Sequence, residues 1–283
     1  MSKTSINDFL KQTASLLAAS GADSPALDAR LLLRHALKMT EEELFLNSAS
    51  SIEDSQLKLL NTMIARRLLH EPVSRIIGKR AFWKHEFKIT SQTLDPRADS
   101  ETLIEAALKY QTTSPQRILD LGTGTGCLLL SLLHEWPQAK GIGLDISPGA
   151  VAVAKENAQN IQLEKRCSFK EIDWNLYNPD EKFDVLVSNP PYIAEEEREA
   201  LDLEVSQYDP AQALFSGADG LDSYRSIIKR LENFLHPKSM IFLEIGHKQA
   251  ASVKTLLAAD NIPVLHTVTD LAGRDRVIVA QMP

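Results

Sequence analysis

From about residue 96 onward, short β-prone runs alternate with helical patterns, and this alternation constrains the fold more than any other feature of the chain. The candidate strands are Arg117–Leu121, Gly141–Ile146, Ser168–Ile172, Phe183–Ser188, Ser239–Ile245, Pro263–Thr269 and Arg276–Ala280. Strands that alternate with helices form a mostly parallel sheet with helices on both faces. The last two have only Asp270 to Asp275 between them. A parallel crossover needs about a dozen residues, so this pair is expected to be antiparallel. The sequence thus predicts an α/β fold on a seven-stranded, mostly parallel sheet with an antiparallel last strand.

The preceding region has a different texture. Residues 1–72 read as helices alone: Ile6, Leu10, Thr13 and Leu17 share one face, as do the apolar residues at 57, 60, 64 and 68. Ser24-Pro25 has the form of an N-cap followed by proline at the first helical position, and Thr40 to Glu43 that of a capping box. Each helix has one apolar face to bury, which predicts a small bundle. Between 73 and 95 the period shortens, and Ile76–Trp83 and Glu86–Ile89 read as the two strands of a β-hairpin. The expected organisation is a helical domain over 1–72, a hairpin linker over 73–95 and the α/β domain over 96–283.

The 283 residues, 43% hydrophobic and 24% charged, suffice for two domains with cores of their own. The longest apolar runs, such as Cys127–Leu133, fall far short of the ~20 residues of a membrane helix. The segment Met1–Asp8 has no signal-peptide core. A cytoplasmic protein with no membrane association is expected, and a monomer. Cys127 and Cys167 lie 40 residues apart with no partner motif, which fits reduced thiols better than a disulfide framework or a metal site. Residues 1–95 carry 13 Lys+Arg and 11 Asp+Glu, and the remainder 18 and 27. The acidic α/β half is a poor general binder of duplex DNA, so no stable nucleic-acid complex is expected. Ile64–Lys88 is locally basic, which suits either a solvated surface or contact with an acidic or phosphate-bearing partner.

The sharpest local signal is Ile118-Leu119-Asp120-Leu121-Gly122-Thr123-Gly124-Thr125-Gly126, an apolar strand running into a glycine-rich turn that opens a helix. Glycines let a backbone approach a ligand closely, and a nucleotide-type cofactor is the natural ligand. A dinucleotide fingerprint requires glycine at the sixth position, where Cys127 stands, and no Gly-Lys-Ser/Thr follows. At the end of the next strand, Asp145 can accept hydrogen bonds from both ribose hydroxyls of an adenosine. Asp173-Trp174 ends the third strand, where the indole suits equally a place in the core or over a planar ring. Asp120, Asp145, Asp173 and Asn189 all fall near carboxyl ends of successive strands, the edge along which open α/β sheets bind ligands.

Phe183–Ser188 runs directly into Asn189-Pro190-Pro191-Tyr192. Two prolines fix two φ angles and supply no N–H. The loop is therefore stiff, and its carbonyls are not committed to a helix. A planar NH₂ group could donate one hydrogen to the Asn189 side chain and one to the Pro190 carbonyl, with the Tyr192 ring stacked alongside. Such a loop suits an amino or amide nitrogen held for alkylation.

Gly122, Gly124 and Gly126 together resemble motif I of class I S-adenosylmethionine (SAM) methyltransferases. Asn189-Pro190-Pro191-Tyr192 resembles motif IV of amino-methyltransferases, which include adenine-N6 DNA, guanine-N2 ribosomal RNA and protein glutamine-N5 enzymes. Gly78-Lys79-Arg80-Ala81-Phe82-Trp83, Phe87-Lys88-Ile89 and Leu94-Asp95-Pro96-Arg97-Ala98-Asp99-Ser100-Glu101 narrow the choice. They are similar to a signature of the PrmC/HemK family, as are Ser216–Asp222 and Leu243-Glu244-Ile245-Gly246. The resemblance covers nearly the whole chain. It departs at Asp95, where an apolar residue is common, and at Ala98-Asp99-Ser100-Glu101, where Pro-Asp-Thr-Glu or Pro-Glu-Thr-Glu is usual.

The resemblance implies a Rossmann-like SAM-dependent methyltransferase. Its substrate would be the glutamine of the Gly-Gly-Gln motif in class-1 peptide chain release factors. It further implies that Gly122, Thr123, Gly124, Thr125, Gly126, Asp145, Trp174 and Asn189 bind the cofactor. Asn189, Pro190 and Tyr192 would act in catalysis, with Pro191 also gripping the substrate. Arg97 and Glu101 would close the pocket edge, although Arg97 equally fits an ion pair at the start of a helix. No metal is implied. The alternatives are an adenine-N6 DNA or guanine-N2 ribosomal RNA methyltransferase, or a non-catalytic SAM-binding module. The intact Asn189–Tyr192 loop argues against the module. The first alternative predicts a basic groove that the acidic half lacks.

Overall fold

A computed structural model describes residues 4–283. Met1, Ser2 and Lys3, part of the segment read above as lacking a signal-peptide core, lie outside them. The chain divides into two compact units, one running to Gly78 and including Leu203–Tyr208, the other comprising Lys79–Asp202 and Asp209–Pro283.

The first unit contains α1 (Ile6–Ala19), α2 (Pro25–Leu37), α3 (Glu41–Leu46), α4 (Asp54–Leu68) and the single turn α5 (Val73–Ile77). Their apolar faces meet in one core that includes Ile6, Phe9, Leu33, Leu60, Met63 and Ile64. The capping box at α3 is formed: Thr40 Oγ1 accepts from Glu43 N at 3.2 Å, and Glu43 Oε2 accepts from Thr40 N at 2.8 Å. Pro25 opens α2, but the Ser24 side chain makes no cap bond.

The strand expected over Ile76–Trp83 begins later. Ile76 and Ile77 belong to α5, which starts after Pro72 and ends at Gly78 with φ 74°. The β-branched pair imitates a strand, but a left-handed glycine stops a helical turn there, and Ile76 is buried in the first unit's core.

In the second unit, β1 (Lys79–Phe82) and β2 (His85–Lys88) form an antiparallel hairpin. Phe82 and Phe87 enter the core on one side of the main sheet. Then follow α6 (Glu101–Tyr110), β3 (Arg117–Leu121), α7 (Cys127–Glu135), β4 (Lys140–Asp145), α8 (Pro148–Asn160), β5 (Cys167–Glu171) and β6 (Phe183–Ser188). After α9 (Leu203–Ser206), which belongs to the first unit, come α10 (Asp222–Ile228), α11 (Leu231–Phe234), β7 (Leu235–Glu244), α12 (Ala250–Ala259), β8 (Val264–Thr269) and β9 (Asp275–Gln281).

The main sheet has the strand order β5-β4-β3-β6-β7-β9-β8. Neighbours from β5 to β7 run parallel, and β9 is antiparallel to both β7 and β8, as the short Asp270–Asp275 connection requires. The strands start within a residue of expectation except β7, which starts at Leu235. Pro237 sits in this extra length, where the β6–β7 register shifts between Phe183 and Val185. A proline cannot donate to a ladder and is tolerated at such an irregularity.

Candidate active site

Leu121 lies opposite Leu144 on one side and Ser188 on the other, so β3, β4 and β6 end level. The chain leaves β3 toward β4 and β5, then crosses back to β6 on the far side of β3. Such a reversal of strand order opens a crevice at the carboxyl edge of a parallel sheet. The residues emerging there are Gly122 after β3, Asp145 closing β4 and Asn189 after β6.

The turn after β3 is held from below. Gly122 N and Thr123 N both donate to Leu144 O at 2.9 Å. Gly122, Gly124 and Gly126 have φ of 71°, 54° and 80°, a left-handed region that favours glycine. Asp145 braces the turn from the neighbouring strand. Its Oδ2 accepts from Gly124 N and its Oδ1 from Ser147 N, each at 2.9 Å. Burial raises the Asp145 pKa above its ordinary value, and the backbone hydrogen bonds oppose that rise. Trp174 donates Nε1–H to Ser226 Oγ at 2.8 Å. Asn189 Nδ2 donates to Ser100 Oγ at 3.3 Å.

One cavity is lined by Gly122, Gly124, Asp145, Trp174, Asn189 and Pro191, together with Gln92–Leu94, Ile146, Ser147, Ala150, Pro210, Gln212 and Ala213. Six residues singled out from the sequence therefore converge on one space. The others lie differently. Thr123 is buried and donates its hydroxyl to Asp120 Oδ2 at 2.6 Å. Thr125 is buried, and its carbonyl accepts from Asn157 Nδ2 at 2.9 Å. A Cβ on Gly126 would stand 3.1–3.3 Å from Leu130, Phe169 and Ala154, so this glycine permits close packing of α7.

Pro190 is buried. Tyr192 is half-buried against the core on the other face of the sheet. Its phenol is pushed up to about 12, first by burial and then by the charge of Glu244. Glu101 accepts the backbone N–H of Trp83 at 2.8 Å and so holds the tip of the hairpin. Arg97 pairs with Asp209, Nη2 to Oδ2 at 2.7 Å. Asp173 closes a local turn by accepting from Asn175 N.

Gln92, Thr93, Pro210, Gln212 and Ala213 were not legible as site residues, since none belongs to a motif, and Leu94 opens the quoted signature without a site role of its own. Two buried carboxyls stand near the site. Asp120, one residue before the end of β3, is 0% exposed and is pushed up to about 7, mainly by burial. Glu244 ends β7 at 2% exposure and is likewise pushed up to about 7, mainly by burial. A charged residue in the apolar run Met240–Ile245 was the available signal for Glu244. Among the described residues, no group of three or more His, Cys, Asp or Glu side chains is arranged to hold a metal ion.

Comparison with known proteins gives the family. Residues 112–260 match the Methyltransferase domain family, and residues 8–78 match the PrmC N-terminal domain. The release factor glutamine methyltransferase of Rhodospirillum rubrum is 42% identical over 267 residues, covering 94% of this chain and 81% of that protein. That of Cereibacter sphaeroides is 41% identical over 276 residues, covering 98% of each. Among solved structures, the hMettl16 catalytic domain superposes with a TM-score of 0.55 at 17% identity, covering 81% of this chain and 82% of that one. This last likeness shows the fold alone. Fold and crevice together define a SAM-dependent methyltransferase. At this level of identity over nearly its whole length, the chain belongs to the release factor glutamine methyltransferase family.

The residues present suit the cofactor of that class. Gly122 lacks the Cβ that would stand 3.7 Å from Trp174 and 4.0 Å from the Asn189 carbonyl, which keeps the crevice open between them. Asp120 Oδ1 is buried without a partner beneath the glycine turn, and Asp145 lines the crevice itself. The Asp145 carboxylate suits the ribose hydroxyls of an adenosine cofactor, whereas Asp120 stays out of the lining.

Proposed function

We propose that this chain transfers the methyl group of SAM to the side-chain amide nitrogen of the glutamine in the Gly-Gly-Gln motif of class-1 peptide chain release factors. We further propose that it does so as a cytoplasmic monomer without a stable nucleic-acid complex. The observation that carries the reading is that Asn189 and Pro191 line the same cavity as Gly122, Gly124, Asp145 and Trp174. Membership of the family supports the choice of substrate.

In this reading Gly122 and Gly124 give the cofactor close access to the backbone. Thr123, Thr125 and Gly126 hold the turn in shape. Each Asp145 oxygen accepts one backbone N–H and retains a lone pair for a ribose hydroxyl. Trp174 supplies a flat apolar wall. When bound, the cofactor supplies a methyl group already activated by its sulfonium.

The acceptor amide is a weak nucleophile because its lone pair is delocalised. Asn189 Oδ1 and the Pro190 carbonyl would accept its two hydrogens, orient it and favour the positive charge that develops on nitrogen as the N–C bond forms and the C–S bond breaks; S-adenosylhomocysteine is left, and the nitrogen then releases a proton to a carbonyl or water. Holding two reactants in line is worth roughly 7–11 kcal/mol. Pro190 and Pro191 keep the loop stiff, and Tyr192 anchors its exit. Arg97 and Glu101 support the substrate side indirectly, through Asp209 and Trp83.

The test is methyl transfer from labelled SAM to a purified class-1 release factor. Its Gly-Gly-Ala variant, duplex DNA and ribosomal RNA serve as parallel acceptors. Label on the wild-type factor alone is expected. Label on nucleic acid with none on the factor would overturn the assignment.

A further inference from the structure

Ser188 of β6 lies opposite Leu243 of β7, so the next residues, Asn189 and Glu244, stand at neighbouring strand ends beside the buried Ser100. Glu244 closes β7 there, and the cavity lining does not include it. The Ser100 hydroxyl and the Asn189 side chain both favour the charged form of its carboxyl. Ser100 also accepts from Asn189 Nδ2 at 3.3 Å. Glu244 Oε2 is buried with no hydrogen-bond partner. A carboxylate can only accept, so its neighbours turn N–H and O–H groups toward it.

This bears on an ambiguity that the sequence leaves in Asn189. A side-chain amide has one accepting end and one donating end of nearly equal size. A substrate NH₂ group needs the accepting end. An Asn189 turned the other way would present its own NH₂ to the substrate and oppose binding.

We propose that Glu244 is the positioning residue for Asn189: together with Ser100 it claims the amide NH₂ and so turns Oδ1 toward the substrate nitrogen. The inference rests on the functional reading above. Glu244 touches no substrate atom; it acts through Asn189. Its negative charge also favours the cationic nitrogen that forms on methyl transfer.

The surroundings determine when Glu244 can play this part. Burial raises its pKa to about 7. The Ser100 hydrogen bond and the Arg276 charge oppose the rise, the Asp99 charge adds to it, and Asn189 opposes it again. Arg276, on β9, is itself shared with Asp270 and Asp99. Tyr192 and Tyr224 also face the group, and Tyr224 donates its hydroxyl to the Glu244 carbonyl at 2.8 Å. Cys127 on α7 feels the same charge. Below neutrality the protonated carboxyl gains an O–H that can donate to Asn189 Oδ1, which permits the wrong orientation. Turnover is therefore expected to fall as pH drops through about 7.

The experiment is single-turnover methyl transfer to a release factor from pH 6 to pH 9, for wild type, Glu244→Gln and Ser100→Ala. SAM affinity by calorimetry and thermal melting are measured on the same samples. Wild type is expected to gain rate across neutrality. Glu244→Gln is expected to lose roughly tenfold to a hundredfold in rate at pH 8, because a misplaced reacting group costs on that order. It should also lose the pH step while its SAM dissociation constant stays within about twofold. Ser100→Ala should lose rate and keep the step, and it carries the test if Glu244→Gln melts early. Full activity and an unchanged pH step in Glu244→Gln would overturn the proposal, as would an Ser100→Ala variant of wild-type rate if Glu244→Gln does not fold. Wild-type protein that labels no release factor would overturn the functional reading instead, and the positioning role with it.

Discussion

Gly124 gives its backbone N–H to Asp145 Oδ2 at 2.9 Å. The turn leaving β3 and the carboxylate closing β4 are thus one hydrogen-bonded unit. Asp145 shapes the crevice as well as lining it, because its other oxygen holds the start of α8 through Ser147 N. Replacing Asp145 with Ala should weaken SAM binding by more than the loss of one ligand contact, about tenfold or greater. Calorimetry with SAM measures this directly, and an unchanged dissociation constant would remove Asp145 from the site.

Asn189→Ala separates chemistry from cofactor binding. It removes one of the two acceptors assigned to the substrate amide but leaves the glycine turn and Asp145 intact. Transfer to the release factor should drop by about a hundredfold or more, with SAM affinity little changed. Turnover at the wild-type rate would disprove the role of Asn189.

Asp209 joins two segments that line the cavity. Its Oδ2 pairs with Arg97 Nη2 at 2.7 Å, and its Oδ1 accepts from Asp95 N at 3.2 Å. Gln92–Leu94, Pro210, Gln212 and Ala213 are the neighbouring lining residues. Removing a buried carboxylate leaves its cation uncompensated. Arg97 is partly exposed, so water softens the effect. Asp209→Ala should cost about 1–3 kcal/mol of stability and weaken SAM binding. Denaturant melts and calorimetry on the same sample test both, and loss of neither would contradict the bracing role.

Gly220 passes close over the exit of the Asn189–Tyr192 loop. A Cβ there would stand 2.3 Å from the Tyr192 carbonyl, and its φ is +73°. Gly220→Ala must shift the loop and strain its own backbone, at about 1–3 kcal/mol. Transfer should fall while SAM affinity holds, because the glycine turn lies elsewhere. A variant with the melting point and rate of wild type would show that the loop accommodates the methyl group.

Asp120 makes the stability of the fold depend on pH. Its folded pKa of about 7 lies above the ordinary 3.8, so the folded chain holds this proton more tightly than the unfolded one. Its contribution is fully present below pH 4 and is lost as pH rises through about 7. Asp120→Asn cannot ionise, and its carbonyl can still accept from Thr123. The variant should match wild type near pH 4 and be more stable by a few kcal/mol near pH 8. Parallel pH profiles of the two proteins would show that Asp120 does not titrate in this range.

Much of the site was legible because it is local. The glycine turn, Asp145 and Asn189-Pro190-Pro191-Tyr192 each follow a strand directly, and strand ends share an edge. The same reasoning assigned Arg97 and Glu101 to the pocket from their place in a motif. Their partners, Asp209 and the Trp83 backbone, lie 112 and 18 residues away. Ile76-Ile77 misled for a related reason: a β-branched pair looks the same in a strand and in a buried helical turn.

The sequence by itself determined the helical first segment, the seven strands of the main sheet and their order along the chain. Periodicity, caps and left-handed glycines act over a few residues, and a connection of a few residues allows only an antiparallel return. Only the tertiary structure decided that Gln92–Leu94, Pro210, Gln212 and Ala213 share a cavity with Gly122 and Asn189, and that Glu244 stands at the strand end next to Asn189. These are meetings of side chains from distant strands and loops. They are governed by sheet order and burial, which no local spacing of residues records.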